Sequence, residues 1–360
     1  MKILYITNLP SPYMVEFFNE FSLLCDLTVI YERRSASDRN ENWTARENGR
    51  YEIIYLDGMK VGAENSLSFS LRRCLKKDFD RVIFGDYATF TSMLGIRYMR
   101  KHSLKYVIST DGGFVSYGEP SWKKKLKTYF IGGASSWLSP GGASDGYLEY
   151  YGARPEKIIH YPFTSLEEKD IISKEALTTS KDTGLGRCTV IGVGQFIHRK
   201  GWDVLIEAVK ILGDDALNVD FNIVGDSKEK FEALLKEDIP SNIRIVPFAS
   251  KEVLFGYYRS SDIFVLPTRE DIWGLVVNEA MASGLPVIAT DKCNAALALI
   301  SSENPAGIIV PAEDANALAE ALRKLIKDKE LRDTMSRNAL AAVRGYTYKN
   351  MAEIIYNGLK

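Results

Sequence analysis

The chain has 360 residues, 46% of them apolar and 26% charged, with a formal net charge of −1. That composition describes an ordinary globular protein of about two domains and excludes a strongly basic nucleic-acid binder. No run of 18 apolar residues exists, which excludes a spanning helix, and Met1–Thr7 is too short an apolar run for a signal peptide.

From the N-terminus, apolar runs of strand length stand at Ile3–Thr7, Leu27–Tyr31, Val82–Phe84, Tyr106–Thr110, Ser136–Leu138 and Ile158–Tyr161. Helical patterns separate them, and this alternation predicts an α/β fold with parallel sheets. In such sheets ligands bind at the loops that follow strands. Asn8–Tyr13, Gly85–Tyr87 and Asp111–Gly113 hold those places. Asp111 is the candidate catalytic polar group among them, an acid/base partner for a bound substrate, with a simple Asp-Gly turn as the competing reading. Asp78-Phe79-Asp80 has the Asp-x-Asp pattern of a metal site, but it precedes a strand and reads as a solvated turn. Residues 70–127 hold 13 basic and 5 acidic side chains. Within them begins the segment Ser121–Ile131, where Trp122, Leu126, Tyr129 and Phe130 share one helical face beside Lys123, Lys124, Lys125 and Lys127. Two readings apply: a core-facing helix with a solvated basic side, or a peripheral anchor on an anionic membrane surface.

Residues 165–186 are polar and charged and form the expected linker between a first domain, 1–164, and a second, 187–345. Strands of the second series fall at Val190–Val193, Phe221–Val224, Ile243–Val246, Ile263–Leu266, Val287–Ala289 and Ile308–Val310. The loop Gly192–Gly201 brings glycines and two cations, Arg199 and Lys200, to the end of the first of these strands. A backbone without Cβ atoms admits a ligand closely, and adjacent cations suit a pyrophosphate. The glycine spacing matches neither a dinucleotide fingerprint nor a P-loop. Further on, Asp271 and Glu279 bracket a helix expected from Ile272 to Ser283, stopped by Gly284 and Pro286. A helix N-terminus favours an anion, and flanking carboxylates hold hydroxyls. The final segment, 346–360, is helical by the spacing of Met351, Ile354, Ile355 and Leu359; it either packs on the second domain or crosses back to the first. The four cysteines form no Cys-x-x-Cys pair and, with only three scattered histidines, point to free thiols in a reducing compartment rather than to a zinc site.

Gly194–Gly201, Val224-Gly225-Asp226, Val246-Pro-Phe-Ala-Ser250 and the pair Asp271…Glu279 together resemble the C-terminal half of a GT-B glycosyltransferase. The pattern is similar to that of the retaining glycosyltransferase family 4, with its Glu-(seven residues)-Glu signature. The resemblance covers roughly 187–345 well and 1–165 only in general architecture. It implies two Rossmann-like doubly wound domains facing a central cleft. It also implies a nucleotide-diphosphate sugar as donor, UDP in preference to GDP, with no cofactor and no metal. Glu279 would hold the ribose hydroxyls and Asp271 the sugar hydroxyls. Lys200, aided by Arg199, would pair with the diphosphate. Gly194, Gln195 and Gly225 would line the donor loop, and Pro247 and Phe248 would meet the base. Main-chain amides of Ile272, Trp273, Gly274 and Leu275 would meet the phosphate or sugar.

Two positions depart from that pattern. The family's first Glu is Asp271 here, with Glu270 beside it as a substitute, and the family's usual Arg is Gln195. The implied acceptor is a glycan or lipid-linked glycan of bacterial surface polysaccharide assembly, and the implied location is the cytoplasm, with a peripheral place on the membrane. Two other functions use the same residues: a nucleotide-sugar epimerase or hydrolase of this fold, and a non-catalytic two-lobed sugar-binding protein.

Overall fold

The computed structural model describes residues 1–34, 50–61, 65–173, 177, 187–235 and 238–360. They form two compact units, 1–164 with 347–360, and 165–346. Both are α/β units built on an open parallel sheet.

The first unit contains β1 (Lys2–Thr7), β2 (Asp26–Tyr31), β3 (Glu52–Tyr55), the short antiparallel pair β4 (Met59–Val61) and β5 (Asn65–Leu67), β6 (Arg81–Phe84), β7 (Val107–Ser109), β8 (Ser136–Ser139) and β9 (Ile158–His160). Its main sheet runs in the order β3-β2-β1-β6-β7-β8-β9, parallel throughout. The central strands read as unbroken apolar runs because helices cover both faces. Leu4, Ile6, Phe84, Ile108 and Trp137 are fully buried on one side. Phe17, Phe18 and Phe21 of the helix Pro12–Phe21 are buried in the same unit. Strand β3 escapes the sequence pattern. It is an edge strand, only partly buried, and its four residues lie beyond a long polar stretch.

The C-terminal helix Tyr348–Leu359 belongs to this first unit. A Cβ on Gly358 would lie 2.5 Å from Ile159 Cγ2, so the helix approaches β9 as closely as a glycine allows. Arg81 Nε donates to the Leu359 carbonyl at 2.8 Å.

The helix Ser121–Ile131 buries Phe130 and Ile131, but leaves Trp122, Leu126 and Tyr129 exposed. The core-facing reading therefore holds only for the helix's last turn, and three of the four apolar side chains expected on one face stand in solvent beside the lysines.

The second unit contains β10 (Cys188–Val193), β11 (Val219–Val224), β12 (Ile243–Val246), β13 (Ile263–Leu266), β14 (Val287–Thr290) and β15 (Gly307–Val310), parallel throughout in the order β12-β11-β10-β13-β14-β15. The strand order reverses between β10 and β13, and a ligand crevice belongs at the carboxyl ends of strands at such a switch point. Residues 165–173, expected as linker, are packed into this unit: Ile172 N donates to the Ala282 carbonyl at 2.9 Å, and Ser165 and Asp170 are buried. The rest of the expected linker, apart from Leu177, lies outside the described residues.

The helix expected from Ile272 begins later, at Leu275, and ends at Ala282. Gly274 precedes it with φ +100°, a conformation that breaks helical continuity and that only glycine adopts readily. Gly284 carries the C-terminal stop at φ +74°. Among the described residues, which include all four cysteines, no disulfide forms.

Candidate functional site

The carboxyl ends of β10, β11 and β12 are stepped against each other. Gly194 N donates to the Val224 carbonyl at 2.9 Å, and Gly225 N to the Val246 carbonyl at 3.0 Å. A Cβ on Gly225 would sit 2.1 Å from the Gly194 oxygen and 2.6 Å from the Phe196 ring, so no larger residue fits. Gly194 faces Trp202 and the Lys200 stem. Gln195 is exposed, and its carbonyl accepts from Trp202 Nε1 at 2.9 Å.

Beyond Ile197 the chain makes a 3-10 turn, His198–Lys200, that closes on Gly201 at φ +68°. A Cβ there would lie 2.0 Å from the Pro267 oxygen. This close approach sets the two cations against the loop that follows β13. Lys200 is 8% exposed, and its ammonium bonds Asp271 Oδ2. Arg199 Nη1 donates to the Glu270 carbonyl at 2.6 Å and stands 3.9 Å from Asp271 Oδ1. Lys200 and Asp271, to which separate jobs were expected, are thus one ion pair in this state. Glu270 contributes its backbone here while its side chain is exposed.

Residues 271–274 are held by the loop after β14. Asp271 N donates to Lys292 O at 2.7 Å, Asn294 Nδ2 to Ile272 O at 2.7 Å, and Ala295 N to Trp273 O at 2.9 Å. Trp273 turns inward and stacks on Tyr346, and its indole donates to Asn278 Oδ1 at 2.9 Å. Its ring is therefore part of the unit's interior; only its main chain stands at the expected site. Ile272 is exposed. The carbonyls of 272 and 273 face the supporting loop, and the first turn of the helix Leu275–Ala282 has amides without intrahelical acceptors.

One turn into that helix, Glu279 is partly buried. Ser165 Oγ donates to its Oε1 at 2.8 Å and the fully buried Tyr258 hydroxyl to its Oε2 at 3.2 Å. Burial pushes the Glu279 carboxyl above its ordinary range; Ser165, Lys251 and Tyr258 pull it back down, and Asp170 adds to the rise. Pro247 and Phe248 lie in the loop after β12, both exposed.

Arg269 organises the cationic loop. It donates to the His198 carbonyl at 2.7 Å, to both oxygens of Asp203 at 2.9 and 2.7 Å, and to Glu313 at 2.8 Å. Arg269, Asp203, Ser165, Tyr258 and Lys251 all escaped the sequence reading. Arg269 lies inside the most informative stretch of the chain, but nothing local marks a partner 66 residues away.

Asp111 belongs to the first unit. Tyr13 donates to its Oδ2 at 3.1 Å, and Tyr161 donates to the neighbouring Thr110 carbonyl at 2.8 Å. It follows β7, among the tyrosines at the carboxyl ends of the sheet. Asp80, of the nominal Asp-x-Asp, accepts from Lys2 N at 2.7 Å. Among the described residues no helix is long and apolar enough to cross a membrane.

Residues 174–341 match the family model of glycosyl transferases group 1. The chain is 26% identical over 276 residues to a 41.2 kDa protein in the cps region of Klebsiella pneumoniae, covering 74% of this chain and 75% of that protein. It is 32% identical over 177 residues to the capsular polysaccharide biosynthesis glycosyltransferase CapM of Staphylococcus aureus, covering 48% of this chain and 44% of CapM. The chain thus spans less than half the length of that relative. Among solved structures, sucrose-phosphate synthase from Thermosynechococcus elongatus superposes with a TM-score of 0.73 at 17% identity, covering 98% of this chain and 96% of that one. HepE from Anabaena, solved in complex with UDP and glucose, gives 0.72 at 16% identity and covers 99% of this chain and 98% of that one. At these identities the structural likeness establishes the fold, two Rossmann-like units of the GT-B type.

Proposed function

We propose that this chain, a glycosyltransferase of the GT-B fold with a group 1 domain over residues 174–341, moves a sugar from a nucleotide-diphosphate donor to a glycan or lipid-linked glycan acceptor in bacterial surface polysaccharide assembly. The donor nucleotide is UDP in preference to GDP, and the transfer retains anomeric configuration without a metal. One observation carries this reading. The cations Arg199 and Lys200, on the turn after β10, are bonded to Glu270 and Asp271 in the loop after β13 that leads into the helix Leu275–Ala282, and Glu279 stands a turn further on.

Breaking the sugar–phosphate bond builds negative charge on the leaving diphosphate. Lys200, Arg199 and the helix amides supply fixed positive charge for it, which lowers the barrier because these dipoles need no reorganisation. Asp271 holds Lys200 low in the unit before the donor arrives. An incoming diphosphate competes for that ammonium, and Asp271 is then available to the hydroxyls of the sugar. Positive charge on the anomeric carbon resembles that of glycoside hydrolysis. No side chain is assigned as nucleophile. Asp111 serves the acceptor.

The test is a thermal-shift screen across UDP, GDP and their sugars, because a ligand that binds only the folded state stabilises by about 2.7 kcal/mol at 100 times its Kd. UDP and one UDP-sugar raise the transition, and Glu279→Ala abolishes both the shift and turnover. Unchanged turnover in Glu279→Ala refutes the assignment.

A further inference from the structure

Glu279 has more partners than its reading as a ribose ligand requires. A carboxylate has about four acceptor positions, two on each oxygen. Ser165 Oγ occupies one on Oε1 and the Tyr258 hydroxyl one on Oε2. One position remains on each oxygen. A vicinal diol needs that arrangement, one acceptor for each hydroxyl, side by side.

The two donors differ in origin. Tyr258 stands on the helix Lys251–Arg259 and is fully buried, so its hydroxyl is fixed by the core. Ser165 is the first residue of the second unit, far from Glu279 in sequence, and sits at the start of an irregular segment. Its place is set by Lys251, whose ammonium donates to the Ser165 carbonyl at 3.0 Å and to Asp170 Oδ2 at 2.7 Å. Asp170 also closes the 3-10 turn Glu168–Asp170 by accepting from Glu167 N at 2.8 Å. A salt bridge and a capped turn therefore hold one serine hydroxyl against one carboxylate oxygen.

We infer that Ser165 is a positioning residue for donor recognition: it fixes the Glu279 carboxylate so that its two remaining acceptor positions receive the 2′ and 3′ hydroxyls of the donor ribose, with Lys251 and Asp170 holding Ser165 in turn. The inference rests on the reading of Glu279 as the ribose ligand. Only the ionised carboxylate accepts from both hydroxyls. Burial disfavours that form, and Asp170 disfavours it further; the hydrogen bond from Ser165, the charge of Lys251 and the Tyr258 hydroxyl favour it. Removing the Ser165 hydroxyl thus loosens the carboxylate and moves its protonation to higher pH.

The experiment is calorimetric binding of UDP and 2′,3′-dideoxy-UDP to the wild type, Ser165→Ala and Ser165→Thr between pH 5 and 8, with the guanosine pair run in parallel. The diphosphate titrates alike in both ligands of a pair, so the ratio of their affinities isolates the diol. The wild type binds the diol form about tenfold or more tightly, the scale of hydrogen bonds to a charged group. Ser165→Ala cuts that ratio to about threefold or less, and the ratio falls away at higher pH than in the wild type. Ser165→Thr restores it. If Ser165→Ala does not fold by far-UV circular dichroism, Lys251→Gln, which releases the clamp, is read against the same ratio.

A wild type that binds diol and dideoxy forms equally, or binds neither nucleotide, overturns the ribose reading of Glu279. An undiminished ratio in Ser165→Ala overturns the role of Ser165 and leaves that reading standing. An equal loss of affinity for both ligands shows a merely structural serine and also overturns the inference.

Discussion

Arg269→Ala tests whether the cationic loop is held by one side chain. Arg269 is 17% exposed and makes four hydrogen bonds to three partners. The bond to Glu313, which is 66% exposed, adds nearly nothing in solvent. The bidentate pair with Asp203, 41% exposed, is worth under about 1 kcal/mol after screening. The bond to the His198 carbonyl adds about 1 kcal/mol, and the buried stem contributes packing of similar size. A loss of about 2 kcal/mol lowers the transition of a unit of this size by about 4–8 °C. Arg269 holds the Asp203 carboxyl below its ordinary range, through a hydrogen bond first and then through charge. A lowered carboxylate stabilises the fold above its unfolded pKa of about 3.9 and loses that contribution as pH falls through the folded value. The gap between wild type and variant therefore narrows below about pH 4 in scanning calorimetry. The same variant releases the His198 carbonyl, so the turn that presents Lys200 loosens and UDP affinity falls several-fold. A transition within about 1 °C of wild type at pH 7, with UDP affinity intact, refutes this account of the loop.

Lys200→Ala leaves Asp271, 14% exposed, without its close partner, and costs about 3 kcal/mol; adding Asp271→Asn recovers much of that stability in denaturant titrations without restoring turnover. Gly225→Ala forces the new Cβ into the Gly194 carbonyl and destabilises the second unit by about 1–3 kcal/mol, read as a lower transition together with weaker UDP binding. The peripheral-anchor reading of the helix Ser121–Ile131, where Trp122 is 63% exposed among Lys123, Lys124 and Lys125, predicts flotation with anionic vesicles at low salt and a blue-shifted tryptophan signal. Changing Lys123, Lys124, Lys125 and Lys127 to Gln abolishes the flotation; equal binding after that change refutes the anchor. Glu279→Gln removes a carboxyl whose raised value makes its ionised form unfavourable to the fold, so the variant matches or exceeds wild-type stability at pH 7 and loses that advantage below about pH 4.

Much of the architecture was legible because buried parallel strands announce themselves as short, unbroken apolar runs. Val190–Val193, Ile263–Leu266 and Val287–Ala289 are of this kind, and each is a central strand. The edge strand Glu52–Tyr55 was not, since it is covered on fewer sides and needs less apolar surface. The start of the helix Leu275–Ala282 was misplaced by three residues because Gly274 reads as a tolerated helical glycine until its φ is seen. The C-terminal helix showed its apolar face in sequence, but a stripe of side chains does not say which surface it covers.

The chemical types at the candidate site are a property of the sequence: cations beside glycines after one strand, carboxylates around the helix after another. Local backbone rules and apolar spacing suffice to place them at strand ends. Which of them touch is a tertiary matter. The pairing of Lys200 with Asp271, the grip of Arg269 on Asp203 and the seating of Ser165 on Glu279 join residues 66 to 114 positions apart. Such contacts follow from the order of strands in the sheet and the path of the chain between them, and no periodicity in the sequence encodes a distance across the fold.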